Sequence, residues 1–353
     1  MQATSLAHVL PAAAVSIGHQ LDPALDPLGE FSHAVVLLVD GLGAQNLNAC
    51  AEVAPSLRGA RTISSVFPST TPAGLGSFGT GLLPGTHGLV SAVFRDPDSN
   101  ELITPLHWRD EPNPVAYQPH ATVFERLARR GVSVHSIGPG EYATSGLTRS
   151  VLRGAQYLAA QGITERIDHA AHVASTPGIT YVYWAELDRV GHVHGARSEQ
   201  WREALADVEQ LVSGLRAAIP VSAGLIVTAD HGMMDCEHTL HIDDDVMLTA
   251  GVQTLAGEPR ARFVYAQPGV ADEVLHRWKL QCEGFADVVG RDEFAALYPE
   301  LDDDIADRLP DVIAVAHDGV VLASRTFDDR VSRLRGQHGG TSALEIEIPL
   351  VVL

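Results

Sequence analysis

Four long apolar runs constrain the fold of this 353-residue chain more than any other feature. Each is apolar at nearly every position, and a strand of that kind is buried on both of its faces. The runs are AVVLLVD (34–40), VSVHSIG (132–138), ITYVYWAELD (179–188) and GLIVTAD (224–230). Helical patterns separate them, such as TVFERLARRG (122–131), which opens with a capping box of Thr122 and Glu125. The alternation predicts an α/β fold with a doubly wound, mostly parallel sheet and helices on both faces.

Residues 242–335 have a different pattern. A strand-like RFVYA precedes a helix-like ADEVLHRWKL, and two further strand-like runs, VIAVAH and VVLASR, follow close together. This order predicts a small α+β cap insertion at 242–335 in a catalytic core made of 1–241 and 336–353. We expect the insertion to cap the candidate site and to shape its leaving-group pocket, and SALEIEIPLVVL to return to the main sheet as a strand.

The charge balance restricts the partners. Lys and Arg total 24 and Asp and Glu total 44, giving a formal net charge of −20. Such a surface repels nucleic-acid phosphates and anionic lipid, so we expect neither a nucleic-acid polymer nor a membrane as partner. A small phosphorylated substrate is compatible with this charge if bound cations reverse the local field. The oligomeric state is left open.

Two further features favour a cytoplasmic location. The three cysteines, Cys50, Cys236 and Cys282, are too few and too scattered for a disulfide framework. The apolar N-terminal stretch has no basic region, and Pro11 interrupts it, so it is predicted to be neither a signal peptide nor a membrane span.

Carboxylates and imidazoles cluster where predicted strands end or glycines follow. In open α/β sheets, ligands bind beyond the carboxyl ends of the strands. Taken singly, each residue has an ordinary interpretation as a turn or surface residue. Together, their oxygen and nitrogen atoms form a ligand set that suits two zinc or similar divalent ions. The residues are Asp40, Asp188, His192, Asp230, His231 and His338.

A hydroxyl would complete this set. In FPSTTPAGLGSFGTG (67–81), Thr71 precedes Pro72, which favours the first position of a helix. Thr71 is then predicted to be the N-cap, at the positive end of the helix dipole where anions bind. A threonine hydroxyl on a metal ion loses its proton readily and becomes a nucleophile. An ordinary capping role is the alternative for Thr71, and Thr70 is the alternative nucleophile.

Five motifs together resemble the alkaline phosphatase superfamily, in particular its type I phosphodiesterase/nucleotide pyrophosphatase branch. They are VVLLVDGLG, FPSTTPAGLGSFGTGLLPGTHGL, ELDRVGH, TADHGM and GQHGG, in that order. The resemblance implies an alkaline phosphatase-like fold and two zinc ions. One ion would be held by Asp188, His192 and His338, and the other by Asp40, Asp230, His231 and the nucleophile. Thr71 lies nine residues before Thr80 of the Thr80-Gly81 pair, which is the place of the family's nucleophile.

The implied reaction is in-line attack of the Thr71 alkoxide on phosphorus, followed by hydrolysis of the covalent intermediate. One position departs from the family. Ala92 stands where nucleotide pyrophosphatases carry an asparagine that donates to a phosphoryl oxygen. Loss of such a donor lowers rates on the order of 10²–10³-fold unless another group replaces it. Ser91, Arg95 or the segment around His107 are the candidate replacements.

The leading hypothesis is therefore a two-metal hydrolase of phosphodiester or phosphoanhydride bonds in nucleotide-like substrates. A phosphomonoesterase or phosphonate hydrolase of the same superfamily is the alternative, which Ala92 motivates. A third possibility is a non-catalytic metal-binding protein. A sulfatase is disfavoured, because the chain has no Cys- or Ser-x-Pro-x-Arg stretch.

Overall fold

A seven-stranded sheet forms the centre of the protein in a computed structural model that describes residue 2 and residues 4–21, 25–298 and 300–353. One strand runs antiparallel to both of its neighbours, and every other pairing in the sheet is parallel. The predicted mostly parallel sheet is therefore confirmed. In spatial order the strands are Arg61–Ser64, Glu347–Val352 (the antiparallel one), Ala223–Thr228, His33–Val39, Gly178–Trp184, Ser133–Gly138 and Gln156–Ala159.

The central strands are buried on both faces, as their continuous apolar sequences predict. Every residue of His33–Val39 and of Ala223–Thr228 is buried. Because successive side chains of a strand point to opposite faces, helices must cover both sides of the sheet. Two groups of helices provide this cover. In one group Leu6–Ser16, Thr71–Thr80 and Val123–Ala128 contact one another, and in the other Ile163–Val173 and Glu186–His194 both pack against Glu199–Ala218.

Most of the remaining helices are short. The predicted capping box at Thr122 and Glu125 is present at the start of Val123–Ala128. Pro11 does not interrupt the N-terminal segment, because it lies inside helix Leu6–Ser16. Among the described residues, no helix is both long and apolar enough to cross a bilayer. The other α-helices are Ala44–Ala49, Pro84–His87, Pro114–Tyr117, Gly146–Val151, Val246–Thr249, Ala271–Gln281, Arg291–Ala295, Asp303–Ala306, Arg325–Ser332 and Ala343–Ile346, and the 3-10 turns are Pro55–Leu57, Pro105–His107, Gly140–Tyr142 and Ile242–Asp244.

Residues 252–316 build a second, four-stranded antiparallel sheet. Helix Ala271–Gln281 packs against it and buries Trp278 in a separate apolar cluster. Phe263 and Tyr265 of the same sheet instead pack with the core of the large sheet. The division into a core and an insertion at 242–335 stays a prediction. The strands are Val252–Glu258, Ala261–Ala266, Val312–Ala316 and Ala286–Gly290, and three smaller ladders pair Phe94–Arg95 with Leu102–Ile103, Met234–Asp235 with Gly336–Gln337, and His238–His241 with Val320–Ala323.

The register of the three central strands determines where the site forms. Val39 lies opposite Trp184, and Leu38 lies opposite Thr228. The parallel strands therefore end at the same edge of the sheet. The residues that follow them, beginning with Asp40, are brought side by side at this edge.

Candidate metal centre

Asp40 directly follows one strand, and Asp230 lies two residues beyond the end of its neighbour. The Asp40 backbone N–H still donates to the Trp184 carbonyl, at 2.9 Å, so the strand pairing positions this carboxylate. Gly41 then turns the chain with a φ of 75°. A Cβ there would lie 2.9 Å from the Cβ of Asp188, so glycine at this place allows the third carboxylate to approach.

Asp188 and His192 lie on one helix. The prediction that Asp188 ends a strand is wrong, since the strand ends at Trp184 and helix Glu186–His194 begins two residues later. Residues four apart share one face of a helix, and His192 Nε2 lies 3.3 Å from Asp188 Oδ2. The Asp-x3-His spacing therefore places two side chains that can bind a metal on the same face of one helix.

All three imidazoles are held in the same tautomer by backbone carbonyls. A carbonyl can only accept, so each Nδ1 carries the proton and each Nε2 presents its lone pair. A hydrogen bond from Nδ1 to a backbone carbonyl is typical of histidines that bind a metal through Nε2. The contacts are His192 Nδ1 to Gly336 O at 2.8 Å, His231 Nδ1 to Gly232 O at 3.0 Å and His338 Nδ1 to Ser69 O at 2.9 Å.

These lone pairs face buried carboxyl oxygens. His231 Nε2 lies 3.3 Å from Asp40 Oδ1 and 3.7 Å from Asp230 Oδ2, and His338 Nε2 lies 3.9 Å from Asp188 Oδ1. All three oxygens are buried and have no hydrogen-bond partner among the described residues. An acceptor facing another buried acceptor is unfavourable unless a proton or a metal cation lies between them. The donor set of carboxylate and imidazole without thiolate fits zinc or a similar divalent ion.

The cluster is continuous. Ligand-type atoms of Asp188, His192 and His338 lie within 4.8 Å of one another, and so do those of Asp40, Asp188 and His231. The rings of His231 and His338 stack with centroids 3.8 Å apart and so connect the two groups. All six predicted carboxylate and imidazole ligands are therefore brought together.

Burial and mutual repulsion shift the proton affinities of the cluster. Burial, followed by the charge of Asp188, raises the pKa of Asp230 to about 7. The pKa of Asp40 is also raised, by burial and then by the charges of Asp230 and Asp188. Burial, followed by His231 and His192, lowers the pKa of His338. Each shift disfavours the charged side chain, and a cation among the carboxylates would oppose the shifts of Asp40 and Asp230.

Thr71 is the threonine that reaches the cluster. Its Oγ1 lies 3.1 Å from His231 Nε2. The prediction that Thr71 is the N-cap is wrong by one residue: Thr70 has the extended φ and ψ of −121° and 149°, and helix Thr71–Thr80 begins at Thr71. Pro72 is then the second helical residue, where its missing N–H is still tolerated. Thr70 is fully buried, and its hydroxyl has no partner among the described residues.

A cavity of about 300 Å³ opens beside Thr71. The lining residues all lie between 71 and 183, and none of them is Asp, Glu, Lys or Arg. That residues 242–335 shape a leaving-group pocket stays a prediction. His107, from the segment named as a candidate phosphate contact, is one of the lining residues. The lining is Thr71, Leu75, Leu106, His107, Ser136, Ile137, Tyr142, Ser145, Leu147, Thr148, Leu152, Tyr157, Tyr181 and Tyr183.

Ser91 and Arg95 are not among the residues that line this cavity. The Arg95 guanidinium lies over the ring of Tyr265, 4.5 Å from its centroid. Ser91 is fully buried, and its Oγ has no partner within the described part of the chain. Their role as substrate contacts stays a prediction.

Sequence reasoning missed two side chains that touch the cluster. The Tyr183 hydroxyl donates to Asp40 Oδ2, and the Tyr183 ring lines the cavity. Glu258, at the end of strand Val252–Glu258, brings Oε2 to 3.4 Å from His338 Nδ1. The position of Tyr183, at the end of a strand next to Asp40, was a usable signal. Nothing in the local sequence of Glu258 indicates its contact.

Comparison with known proteins gives one family. A family model described as type I phosphodiesterase/nucleotide pyrophosphatase matches residues 34–341. A bis(5'-adenosyl)-triphosphatase of Mus musculus is 25% identical over 199 residues, which are 52% of this chain and 42% of that protein. Its counterpart in Bos taurus is 23% identical over 299 residues, which are 80% of this chain and 62% of that protein. The chain thus spans less than two thirds of either relative.

Solved structures share the fold. Murine ectonucleotide pyrophosphatase/phosphodiesterase 5 superposes with a TM-score of 0.71 at 21% identity, covering 90% of this chain and 87% of that chain. An inactive threonine-to-alanine form of it, in complex with AMP, gives 0.69 at 20% identity, with the same coverage. Phosphonoacetate hydrolase from Sinorhizobium meliloti 1021, in complex with phosphonoformate, gives 0.69 at 19% identity, covering 90% and 89%. Identities this low establish similarity of fold alone.

Proposed function

Because this chain belongs to the type I phosphodiesterase/nucleotide pyrophosphatase family, we propose that it hydrolyses phosphodiester or phosphoanhydride bonds in small, nucleotide-like substrates. One observation carries the proposal. Three buried carboxylate oxygens without hydrogen-bond partners face the unprotonated nitrogens of imidazoles, an arrangement that calls for cations. Thr71 reaches the same cluster through His231.

The residues divide between two divalent ions, most simply zinc. Asp188, His192 and His338 would hold one ion, and Asp40, Asp230, His231 and Thr71 would hold the other. Asp188 also lies close to Asp40 and His231, so it is placed between the two groups. Bound ions of this kind lower the pKa of a coordinated hydroxyl or water and neutralise charge that develops on phosphoryl oxygens.

Thr71 is the proposed nucleophile. Its hydroxyl releases its proton to solvent as Oγ1 forms a bond to phosphorus. The bond from phosphorus to the leaving oxygen breaks on the opposite side, and the leaving oxygen keeps the electron pair, giving a phosphorylated Thr71. Attack by water then breaks the Thr71–phosphorus bond and restores the hydroxyl. Helix Thr71–Thr80 begins at this residue, so its N-terminal dipole favours an anionic phosphoryl group there. Thr70 is the weaker candidate, because it is fully buried and does not line the cavity.

The cavity beside Thr71 would hold the organic group of the substrate. Apolar and tyrosine side chains dominate its lining, which suits a flat, neutral group such as a nucleoside or aryl ring. The AMP complex of a structural neighbour supports the same substrate class.

The alternative is a phosphomonoesterase or phosphonate hydrolase. Ala92 favours it, since an amide donor to a phosphoryl oxygen is missing at this position. The cavity lining contains no Lys or Arg that could pair with a second anionic group. It therefore does not favour a carboxylated substrate such as that of the phosphonoacetate hydrolase. We therefore rank diester and anhydride substrates first. A cytoplasmic location stays a prediction.

Hydrolysis of two chromogenic substrates tests the proposal. The zinc-loaded protein and its Thr71→Ala and Thr70→Ala variants are compared on bis-p-nitrophenyl phosphate and p-nitrophenyl phosphate, before and after chelation. We expect the diester to be preferred, and loss of the nucleophile in Thr71→Ala to lower the rate at least about 10³-fold. Preference for the monoester would support the alternative substrate class. Full activity in Thr71→Ala, or after complete removal of metal, would refute the mechanism.

Zinc binding without hydrolysis of either substrate, or of a dinucleoside polyphosphate, would instead favour the non-catalytic metal-binding protein. Metal content is therefore measured on the same samples. Thr70→Ala is expected to keep most of the activity, because its side chain is absent from the cavity lining.

A further inference from the structure

A hairpin of the second sheet brings two charged side chains to the candidate metal centre. Strands Val252–Glu258 and Ala261–Ala266 pair in an antiparallel manner, and Glu258 and Arg260 lie where the chain reverses. Neither residue lines the cavity beside Thr71. This part of the chain therefore reaches the cluster from the side of His338 Nδ1 and not through the cavity beside Thr71.

Glu258 contacts a candidate ligand and lacks a hydrogen-bond partner. Its Oε2 is buried, lies 3.4 Å from His338 Nδ1, and forms no hydrogen bond within the described residues. Gly339, with a φ of 118°, leaves room for it, since a Cβ there would lie 2.8 Å from Oε2. The carboxylate therefore lies next to Nδ1 of His338, whereas Nε2 of the same ring faces Asp188.

Arg260 holds the hairpin against the loops that carry the histidines. Its guanidinium is fully buried and forms two hydrogen bonds to Glu345, at 3.1 and 2.8 Å. Glu345 in turn accepts from the Gly340 N–H through Oε1, at 2.8 Å, and from the Gly232 N–H through its carbonyl, at 2.7 Å. Gly340 lies two residues after His338, and Gly232 lies directly after His231. Arg260 therefore connects the hairpin that carries Glu258 to both histidine loops.

We propose that Glu258 is a positioning residue that strengthens cation binding at Asp188, His192 and His338, an inference that rests on the proposed two-metal function. A carboxylate behind the Nδ1–H of a ligating imidazole fixes the ring and makes Nε2 a better donor. Ser69 already supplies a carbonyl to the same Nδ1, at 2.9 Å. Glu258 places a carboxyl oxygen behind the same ring atom. Burial, followed by the charges of Asp188 and Glu345, raises the pKa of Glu258, and a cation bound at Asp188 would oppose this shift. The effect of Glu258 is therefore on the affinity for a cation more than on the direction of the ring.

Stepwise zinc binding to the whole protein tests this proposal. The metal-free wild type, Glu258→Gln and Glu283→Gln are titrated with zinc in competition with a chromogenic chelator. Glutamine keeps the shape of Glu258 and removes its charge. Glu283→Gln makes the same charge change at an exposed residue of the insertion, so it is the matched control. Thermal unfolding of each metal-free protein is measured in parallel.

We expect Glu258→Gln to weaken one of the two zinc sites by about 10- to 100-fold and to leave the other within about twofold. The unfolding midpoint of the metal-free variant should not fall, because a buried carboxylate without a partner becomes a neutral amide. Cobalt substitution adds a second readout, since only the absorption band of the weakened site should change. Glu283→Gln should match the wild type in every measurement.

Two results would overturn the proposal while the proposed function stands: two unchanged zinc affinities in Glu258→Gln, or equal losses at both sites together with a lower midpoint of the metal-free protein. The second result would mean that Glu258 acts through general structural support. If the wild type binds no zinc, the proposed function and this inference fail together.

Discussion

Oγ1 of Thr71 and Nε2 of His231 lie 3.1 Å apart, so the proposed nucleophile and a proposed metal ligand meet at the start of one helix. Thr71 comes from the first turn of Thr71–Thr80, whereas His231 follows the strand Ala223–Thr228. Gly74 permits this approach, since a Cβ there would lie 2.9 Å from the Cβ of Asp230. A larger residue at 74 would push the helix away from the cluster.

Removing the hydroxyl of Tyr183 should weaken metal binding. This hydroxyl donates to Asp40 Oδ2 and so orients the carboxylate. Outer-shell contacts of this kind typically contribute about 10- to 100-fold to metal affinity. Tyr183→Phe is therefore expected to lose zinc by about that factor in a chelator competition.

Tyr181→Phe is the matched control for this prediction. Tyr181 lines the same cavity, but its buried hydroxyl has no hydrogen-bond partner among the described residues. Zinc affinity should stay within about twofold of the wild type. Equal effects of the two substitutions would mean that the aromatic lining, and not the contact with Asp40, supports the metal.

His87 should make the protein sensitive to acid. It is buried, donates from Nε2 to Ser77 Oγ at 3.0 Å and accepts from the Leu89 N–H at 3.2 Å, so it is neutral. Burial, followed by the charges of His120 and Arg308, lowers the pKa of His87 to about 3. Because the folded pKa lies below that of the unfolded chain, His87 contributes stability above about pH 6.5 that is lost as the pH falls toward 3.

Urea unfolding between pH 7 and pH 4 measures this effect. The stability of the wild type should fall more steeply with acid than that of His87→Gln, by an amount on the order of a few kcal/mol across the range. His276→Gln, on an exposed part of helix Ala271–Gln281, serves as control and should keep the slope of the wild type. Parallel curves for wild type and His87→Gln would contradict the assignment.

Breaking the buried pair of Arg260 and Glu345 should destabilise the fold. Both side chains are fully buried, so Arg260→Met leaves an uncompensated carboxylate. Loss of one partner of such a pair lowers the free energy of unfolding by about 3–5 kcal/mol. Adding Glu345→Gln removes the stranded charge and keeps an acceptor for the Gly340 N–H, so the double variant should recover part of the loss in urea unfolding. A double variant less stable than Arg260→Met would refute the charge argument.

Leu106 should contribute to substrate binding without affecting stability. It lines the cavity and is 52% exposed, so its side chain is available to a bound organic group. Truncation removes apolar contact area worth up to about 1 kcal/mol, or roughly fivefold in affinity. Leu106→Ala should therefore raise KM for an aryl or nucleotide diester by up to that factor, with kcat and the unfolding midpoint unchanged.

Leu297→Ala is the control for this change, since Leu297 is 63% exposed and does not line the cavity. Its KM should equal that of the wild type. A similar rise in both variants would show that the substrate does not occupy the cavity beside Thr71.

The parts of the site that follow directly from strand ends were predictable from sequence. Asp40, Asp230 and His231 each lie one to three residues beyond a buried strand, and the parallel register brings such positions together. The strand predicted to reach Asp188 ends at Trp184, because apolar character alone does not separate the end of a strand from the first turn of a helix.

Contacts between distant segments were beyond sequence reasoning. The Arg95 guanidinium, for example, lies over Tyr265, which is 170 residues away in sequence. The contact of Glu258 with His338 likewise depends on how the second sheet packs. A single sequence carries no information on such pairs, since propensity and spacing act only locally.

The spatial order of the central sheet bears on how the site comes into being during synthesis. Strand Glu347–Val352 lies between Arg61–Ser64 and Ala223–Thr228, and it joins these segments only after the intervening sequence has been made. His338 also follows the second sheet in the chain. While residues 231–337 are being made, a nascent chain therefore contains Asp40, Asp188 and Asp230 but still lacks His338. The complete set of six carboxylates and imidazoles therefore exists only after all four strands of the second sheet have been synthesised.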